Sequence, residues 1–242
     1  PLAHAAQSKL ATLLLYCYEP SQLAAAESDE RHWRFIHESI TDLNRQLQPF
    51  KTVVYISTQE IQETFESLLK FFNIIQVLSY QESGLRISYD RDKKLKRYFN
   101  QENIKWIEFQ YGGVKRGRQN RKNWVDEWYE TMEGPCDNAD LSQIRFVNIT
   151  SDIQHTNSIF SIKNKLFQPG GEQHANTYLQ GFLLERSKHY NQSISKPLAS
   201  RTGCSRLSPY LAWGNISLRQ VYQQTQQALV NKNHRWQLSS FA

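Results

Sequence analysis

A short segment in the last third of the chain carries the residues best suited to bind an anion. It reads GCSRLSPYLAWG over residues 203–214. Ser208 followed by Pro209 is a typical helix start, with serine as the N-cap and proline at the first helical position. The residues before such a start offer unpaired backbone N–H groups, the hydroxyls of Ser205 and Ser208, and the guanidinium of Arg206. A phosphate group suits these donors, although a serine that merely caps a short helix explains the same pattern.

Helices on both sides must position this segment. Residues 173–190 carry one apolar face at helical spacing, made by Ala175, Tyr178, Leu179, Phe182 and Leu183. Ser217-Leu-Arg-Gln220 has the capping-box spacing and predicts a helix that runs to about Val230. Helices therefore follow each other without strands from Glu172 onward. Residues 133–171 are irregular and rich in turn signals, which predicts a connector between domains.

The first part of the chain alternates apolar runs with amphipathic segments. Strands are predicted at Thr12–Tyr18, Thr52–Ser57, Ile74–Ser79 and Ile104–Phe109, and helices at Pro1–Leu10, Glu30–Leu47, Gln59–Phe72, Asp90–Asn103 and Trp124–Met132. This alternation predicts an α/β fold, a parallel sheet with flanking helices, over residues 1–132. Because a helix precedes the first visible strand, we expect a further strand upstream of Pro1.

Charge is distributed unevenly along the chain. The 242 residues carry a net charge of +6. Residues 1–171 contain 21 basic and 21 acidic residues, whereas residues 172–242 contain eight basic and two acidic ones. A basic face toward nucleic acid and a basic surface kept for solubility both fit this bias. The run from Lys115 to Lys122 is followed by acidic residues, which favours a solvated, salt-bridged face there.

Composition excludes several protein classes. With 39% hydrophobic residues the chain can bury a core, and it has no apolar run near the roughly 20 residues of a membrane span. Cys17, Cys136 and Cys204 lie far apart and form no CxxC pair, and the histidines form no HxH or HxxxH pair. Neither a disulfide framework nor a metal site is predicted, which favours a reducing, cytoplasmic location.

The segment SRLSPYLAWGNIS, residues 205–217, closely resembles the start of the flavin-binding domain in the photolyase and cryptochrome family. Gly171-Glu172 and the helix that ends at Tyr190 precede it, as they do in that family. The element order of the first part and the segment RKNWVDEW, residues 121–128, resemble the family's antenna domain. The resemblance implies an α/β antenna domain at residues 1–132, a connector at 133–171, and the first helices of an all-α flavin domain at 172–242.

The resemblance also implies a cofactor and the residues that hold it. Flavin adenine dinucleotide (FAD) is expected to be bound by Tyr190, Cys204, Ser205, Arg206, Leu207 and Ser208, mainly through its phosphates and ribityl chain. Many relatives carry threonine where this chain has Cys204, so that hydroxyl contact is absent here, whereas a contact from the backbone N–H of Cys204 is expected to remain. A second, antenna chromophore of unknown identity is expected near the rim that carries Glu82. The family's tryptophan chain, lesion pocket and catalytic residues are expected beyond Ala242, which would make this chain an inactive piece of a longer protein.

The function that the resemblance implies is light-driven DNA repair. A photolyase, a carbon–carbon lyase, splits cyclobutane pyrimidine dimers, and its partner is damaged DNA; we expect a monomer without membrane contact. A cryptochrome, a blue-light photoreceptor without repair activity, carries the same motifs. The basic excess after Glu172 favours DNA contact. A nucleotide-binding protein without photochemistry is the third interpretation, which the long match over residues 205–217 disfavours.

Overall fold

The computed structural model describes residues 1–149, 160, 162–230 and 238–241. The chain divides into two compact units. We call the first the α/β unit, formed by Pro1–Arg34, Asn44–Arg121 and Asp137–Lys163, and the second the helical unit, formed by Phe35–Leu43, Lys122–Cys136 and Asn164–Ala242. The predicted boundaries at residues 132 and 171 stay a prediction.

The α/β unit contains short parallel strands between helices. Its strands are β1 (Ala11–Thr12), β2 (Leu15–Cys17), β3 (Tyr55–Ser57), β4 (Gln76–Tyr80), β5 (Lys105–Phe109) and β6 (Arg145–Phe146). Its helices are α1 (Leu2–Ser8), α2 (Pro20–Leu23), α4 (Ile61–Leu69) and α5 (Arg86–Gln101), together with both ends of α3 (Glu30–Leu47). All described strand pairs are parallel: β1 with β6, β2 with β3, and β4 with β5. The predicted α/β class is confirmed.

The strand predicted at Thr12–Tyr18 is two strands with different partners. Thr12 O accepts a hydrogen bond from Val147 N at 2.9 Å, next to the β1–β6 pair, whereas Leu14 O accepts one from Tyr55 N at 2.8 Å, next to the β2–β3 pair. The backbone thus changes partner between residues 12 and 14. The pairing strand β6 lies in the predicted connector, and a two-residue strand with one apolar side chain leaves no pattern to detect.

Apolar side chains fix the helices of the α/β unit onto the sheet. Phe65 of α4 and Phe99 of α5 are buried, and their rings meet edge to face at 4.8 Å between centroids. Phe99 also contacts the ring of Trp106 on β5. Trp106 Nε1 donates to Ser79 Oγ of β4 at 2.9 Å, so its polar atom is satisfied as well. This cluster explains why the predicted helices and strands of this region form where they do.

Six short and medium helices are found in the described part of the helical unit. They are α6 (Trp124–Glu133), α7 (Glu172–Leu184), α8 (Tyr190–Ser193), α9 (Ser200–Gly203), α10 (Ser208–Ala212) and α11 (Leu218–Val230). The middle of α3 belongs to this unit. Its core consists of Phe35, Ala175, Leu179, Phe182, Leu183, Leu207, Tyr210, Ile216, Val221 and Leu238. No helix among the described residues is long and apolar enough to cross a membrane.

Of two sequence predictions for the helical unit, the capping box is confirmed and the length of the helix from residue 173 is wrong. The capping box at Ser217 is confirmed, because Gln220 N donates to Ser217 Oγ at 3.1 Å and Ser217 N donates to Gln220 Oε1 at 2.9 Å. The helix predicted over 173–190 instead ends at Leu184. Glu185, with φ −133° and ψ −55°, leaves the helical region, and a 3₁₀ turn at Arg186–His189 leads into α8.

Candidate cofactor-binding loop

Residues 204–208 form a loop between α9 and α10, within the helical unit. We call this segment the 204–208 loop. Arg206 adopts a left-handed conformation with φ +61°, and Leu207 follows in a right-handed one with φ −85° and ψ −11°. Successive residues of opposite hand turn their N–H groups toward one side of the backbone, an arrangement that favours an anion. The left-handed conformation costs a non-glycine residue about 1 kcal/mol, so other contacts must hold it.

The donors of the 204–208 loop are uncommitted in the described part of the chain. There, no acceptor is found for the backbone N–H groups of Ser205, Arg206, Leu207 and Ser208. Within the same residues, the hydroxyls of Ser205 and Ser208 make no hydrogen bond either. Ser208 is exposed and Ser205 is half-buried, so a ligand can reach both. The donors that the sequence predicted are therefore present, and no described residue accepts from them.

The predicted N-cap at Ser208 is wrong. Helix α10 already includes Ser208, its N-cap is Leu207, and no side chain caps it. The cause is tertiary, because the Leu207 side chain is only 2% exposed and holds the first turn against the core. Capping of α10 therefore does not explain why a serine occupies position 208. Leu207 itself has only its backbone to offer a ligand.

The backbone of Cys204 is used on both sides. Its N–H donates to Ser200 O at 3.2 Å, and its carbonyl accepts from Arg186 Nη1 at 2.7 Å. The side chain is thus the group that Cys204 can offer to a ligand. Cys204 is a free thiol and half-buried.

Gln168, 38 residues earlier in the sequence, forms hydrogen bonds with Arg206. Gln168 Nε2 donates to Arg206 O at 2.8 Å, and Arg206 Nε donates to Gln168 Oε1 at 3.2 Å. This reciprocal pair fixes both the backbone and the side chain of Arg206 in place. The next residue, Pro169, accepts a hydrogen bond from the buried Tyr210 hydroxyl at 2.8 Å. Residues 168–169 therefore stabilise the 204–208 loop at Arg206 and the helix that follows it at Tyr210.

Tyr190 begins α8, beside the 204–208 loop. Its ring meets Phe182 and Phe241 edge to face at 5.6 and 5.7 Å between centroids. Burial raises the pKa of its hydroxyl, and the neighbouring Cys204 raises it further. The structure thus brings Tyr190 and Cys204 together, as the resemblance implied for two residues of one site.

The electrostatics of the site are positive. Burial lowers the pKa of the Arg186 guanidinium, with a further lowering from Arg206, and no carboxylate of the described residues lies within salt-bridge distance of Arg186. The positive potential of two guanidinium groups without an acidic partner in the described chain favours an anion nearby. Sequence reasoning missed Arg186 and Gln168. Arg186 lies in the basic segment and precedes Tyr190 by four residues, but only the packing reveals what it contacts; Gln168 gives no signal.

Two further residues from the sequence analysis, Glu82 and Arg116, lie in the α/β unit. Glu82 follows β4 and accepts a hydrogen bond from Gly84 N at 2.5 Å. Arg116, in the basic run Lys115–Lys122, pairs with Glu108 at 2.7 Å, which agrees with a salt-bridged face. Among the described residues no group of histidine, cysteine and carboxylate side chains is arranged to hold a metal ion.

Comparison with known proteins identifies the fold. The family model described as DNA photolyase matches residues 1–114. A crystal structure of a bacterial class III photolyase from Agrobacterium tumefaciens matches 99% of this chain with a TM-score of 0.73 and 17% identity. An archaeal photolyase from Sulfolobus tokodaii, solved with two FAD molecules, matches 98% with a TM-score of 0.70 and 16% identity. A cryptochrome from Synechocystis matches 100% with a TM-score of 0.74 and 20% identity.

These matches confirm the resemblance found in the sequence. The chain covers 52%, 52% and 55% of the three solved chains, so it spans about half the length of the structures that it matches. No curated protein matches the chain. The expected site residues lie together in the helical unit, and the match with photolyase and cryptochrome structures extends over that unit as well.

Proposed function

We propose that this chain, which has the fold of the photolyases and cryptochromes and matches the DNA photolyase family over residues 1–114, is part of a flavin-dependent photolyase that splits cyclobutane pyrimidine dimers. The observation that carries the proposal is the set of donors in the 204–208 loop for which the described chain supplies no acceptor, beside the Arg206 guanidinium, which has no carboxylate partner there. Such a set suits the diphosphate of FAD.

The residues present fit this cofactor. The N–H groups of Arg206, Leu207 and Ser208 would hold phosphate oxygens, and the hydroxyls of Ser205 and Ser208 would add further donors. Tyr190 and the Cys204 side chain would line the same site. Flavin held there would supply light absorption and one-electron transfer to the dimer. The task of the loop is to bind and orient, and it supplies no proton to the reaction.

Substitutions in the 204–208 loop of the full-length protein test cofactor binding. Arg206→Ala should weaken FAD binding about tenfold to a hundredfold, the value of a hydrogen bond to a charged group of about 1.5 to 3 kcal/mol. Ser208→Ala should also weaken binding but leave the melting temperature of the apoprotein nearly unchanged, because Ser208 caps no helix. Arg201→Ala, which removes an exposed arginine three residues before Cys204, is the matched control.

Flavin fluorescence quenching on titration of the apoprotein gives the dissociation constants. Wild-type affinity in Arg206→Ala and Ser208→Ala alike would remove the 204–208 loop from the cofactor site. A loss in Arg201→Ala as large as in Arg206→Ala would indicate a general effect of charge and would equally remove the specific assignment.

The proposed DNA contact rests on the basic excess of residues 172–242. The side chains of Lys188, Lys196 and Arg201 are exposed there. Reversing these three charges should weaken binding to duplex DNA and flatten the plot of log affinity against log salt by about 0.9 for each lost phosphate contact. Reversal of Lys115, Arg118 and Lys122 should change the slope little. Equal losses from both sets would contradict a DNA-binding face in the helical unit.

A repair assay separates the proposed enzyme from its alternative. A cryptochrome photoreceptor is favoured by the match to the Synechocystis protein, at 20% identity. The reduced full-length holoprotein is mixed with an oligonucleotide that contains one thymine dimer and is illuminated with blue light. Loss of the dimer, with none in the dark, supports the photolyase; FAD binding without repair supports the cryptochrome.

We also propose an antenna chromophore in the α/β unit, near the carboxyl ends of β4 and β5. The archaeal photolyase of similar fold holds two FAD molecules. In this region burial raises the pKa of the Asp92 carboxyl, Arg91 opposes that rise, and Glu82 and Glu108 add smaller contributions that raise it. Fluorescence of chromophores released from the purified holoprotein would show whether a second one is present.

A further inference from the structure

Arg186 connects two parts of the helical unit through its guanidinium. Nη1 donates to Cys204 O at 2.7 Å, and Nη2 donates to Tyr178 O of α7 at 2.5 Å. The same group lies over the rings of Tyr178 and Phe182, at 5.5 and 6.0 Å from their centroids. One planar group thus connects the first residue of the 204–208 loop to the middle of α7.

The carbonyl contacts turn the guanidinium toward the protein. Two of its nitrogen atoms are committed to backbone oxygens, and burial is the main cause that lowers its pKa. A charge placed to attract a ligand would present its donors to that ligand, as do the N–H groups of the 204–208 loop, which have no acceptor among the described residues. The geometry therefore separates the task of Arg186 from that of Arg206.

We propose that Arg186 is a positioning residue for the 204–208 loop, which it sets in its binding conformation by fixing Cys204 O, rather than a direct ligand of the cofactor. The inference rests on the proposed FAD site. Arg186 fixes the loop at its start, and Gln168 fixes it two residues later at Arg206 O. Between these two anchors lies the left-handed turn at Arg206, which directs the free N–H groups.

Lysine is the informative replacement for Arg186, because it keeps the positive charge but lacks the planar guanidinium, whose N–H groups can bond two acceptors at once. A lysine ammonium can reach one of the two carbonyl oxygens but does not bridge both in the arginine geometry. Arg186→Lys and Arg186→Met should therefore weaken FAD binding alike, by about tenfold or more. Lys165→Met removes an exposed charge elsewhere in the helical unit and should leave the dissociation constant for FAD unchanged.

Ionic strength gives a readout that a charge effect and a positioning effect do not share. Affinities for FAD are measured on the full-length apoprotein at low and at high salt, together with its melting temperature. Electrostatic attraction is screened by salt. A loss of binding that comes from misplaced N–H groups is not screened by salt. The ratio of the variant's dissociation constant to that of the wild type should therefore be the same at low and at high salt. Arg186→Gln, which keeps neutral amide donors, replaces the methionine variant if the latter does not fold.

The outcomes distinguish this inference from the proposed function. If the wild type binds no FAD, the cofactor site itself is refuted and the inference falls with it. If the wild type binds FAD and Arg186→Lys binds equally well, the positive charge suffices and positioning is refuted. A deficit that disappears at high salt also refutes it. Lower melting temperatures with unchanged FAD affinity at 10 °C would assign Arg186 a structural role only.

Discussion

Gly170, just before α7, is the position where one added methyl group should do most damage. Its N–H donates to the Glu38 carboxylate of α3 at 2.7 Å. A Cβ at this residue would overlap the carbonyl oxygen of Phe35 and lie 2.6 Å from Ser39 Oγ. The Ser39 hydroxyl can rotate, but the Phe35 carbonyl belongs to the backbone of a helix and cannot move alone. The chain before α7 must therefore shift in a Gly170→Ala protein.

The cost follows from the two contacts. Overpacking against rigid neighbours costs about 1 to 3 kcal/mol. If the shift also breaks the hydrogen bond to Glu38, a further loss of about 1.5 to 3 kcal/mol is expected, although the two need not add in full. We expect about 2.5 kcal/mol of lost stability, the sum of the two lower limits. For a chain of this size that lowers the melting temperature by about 5 °C or more.

Differential scanning calorimetry on the wild type, Gly170→Ala and a matched control checks this value. Gly181→Ala is the control, because a Cβ there would lie 3.9 Å from Arg186, an ordinary contact, and the residue is inside α7. Alanine in a helix interior is favoured over glycine by about 0.5 to 1 kcal/mol, so this variant should melt at or above the wild-type temperature. A Gly170→Ala protein that melts within about 1 °C of the wild type would refute the close approach of α3 to residue 170.

Three further predictions concern single side chains. Burial raises the pKa of the Cys17 thiol to about 12, so iodoacetamide at pH 8 should modify Cys17 only after unfolding, as mass spectrometry would show; rapid labelling of the native protein would contradict its burial. Ser217→Ala removes a formed capping box and should cost about 1 kcal/mol in a thermal melt, and no change would mean that water replaces the cap. Burial raises the pKa of the Glu19 carboxyl despite its ion pair with Arg91. The contribution of Glu19 to stability is thus full at a pH below the ordinary carboxyl pKa of 4.5, and it is lost as the pH rises through the raised pKa of the folded state. Between pH 4 and 7 the melting temperature should therefore fall more in the wild type than in Glu19→Gln. Parallel profiles of the two proteins would refute this linkage.

Much of the fold was accessible from local patterns. The apolar faces and end signals predicted α3 with its observed bounds, Glu30–Leu47, and the Ser217 capping box, because both depend on residues a few positions apart. The strand that changes partner between residues 12 and 14 was not accessible. Its partner β6 lies more than 130 residues away and carries no pattern of its own.

The sequence by itself determined the chemistry of the 204–208 loop, since serine hydroxyls, an arginine and a helix start are properties of neighbouring residues. Tertiary structure decided how that chemistry is arranged. Leu207 packs into the core and begins the first turn of α10, which frees Ser208 from capping. Arg186 and Gln168 are 18 and 38 residues away in sequence from the residues of the loop that they contact. Their hydrogen bonds stabilise the left-handed conformation at Arg206, which is unfavourable for a non-glycine residue and which no neighbouring residue in sequence stabilises. Contacts at such separations exist only once the helices have packed, and for that reason they leave no trace in local spacing.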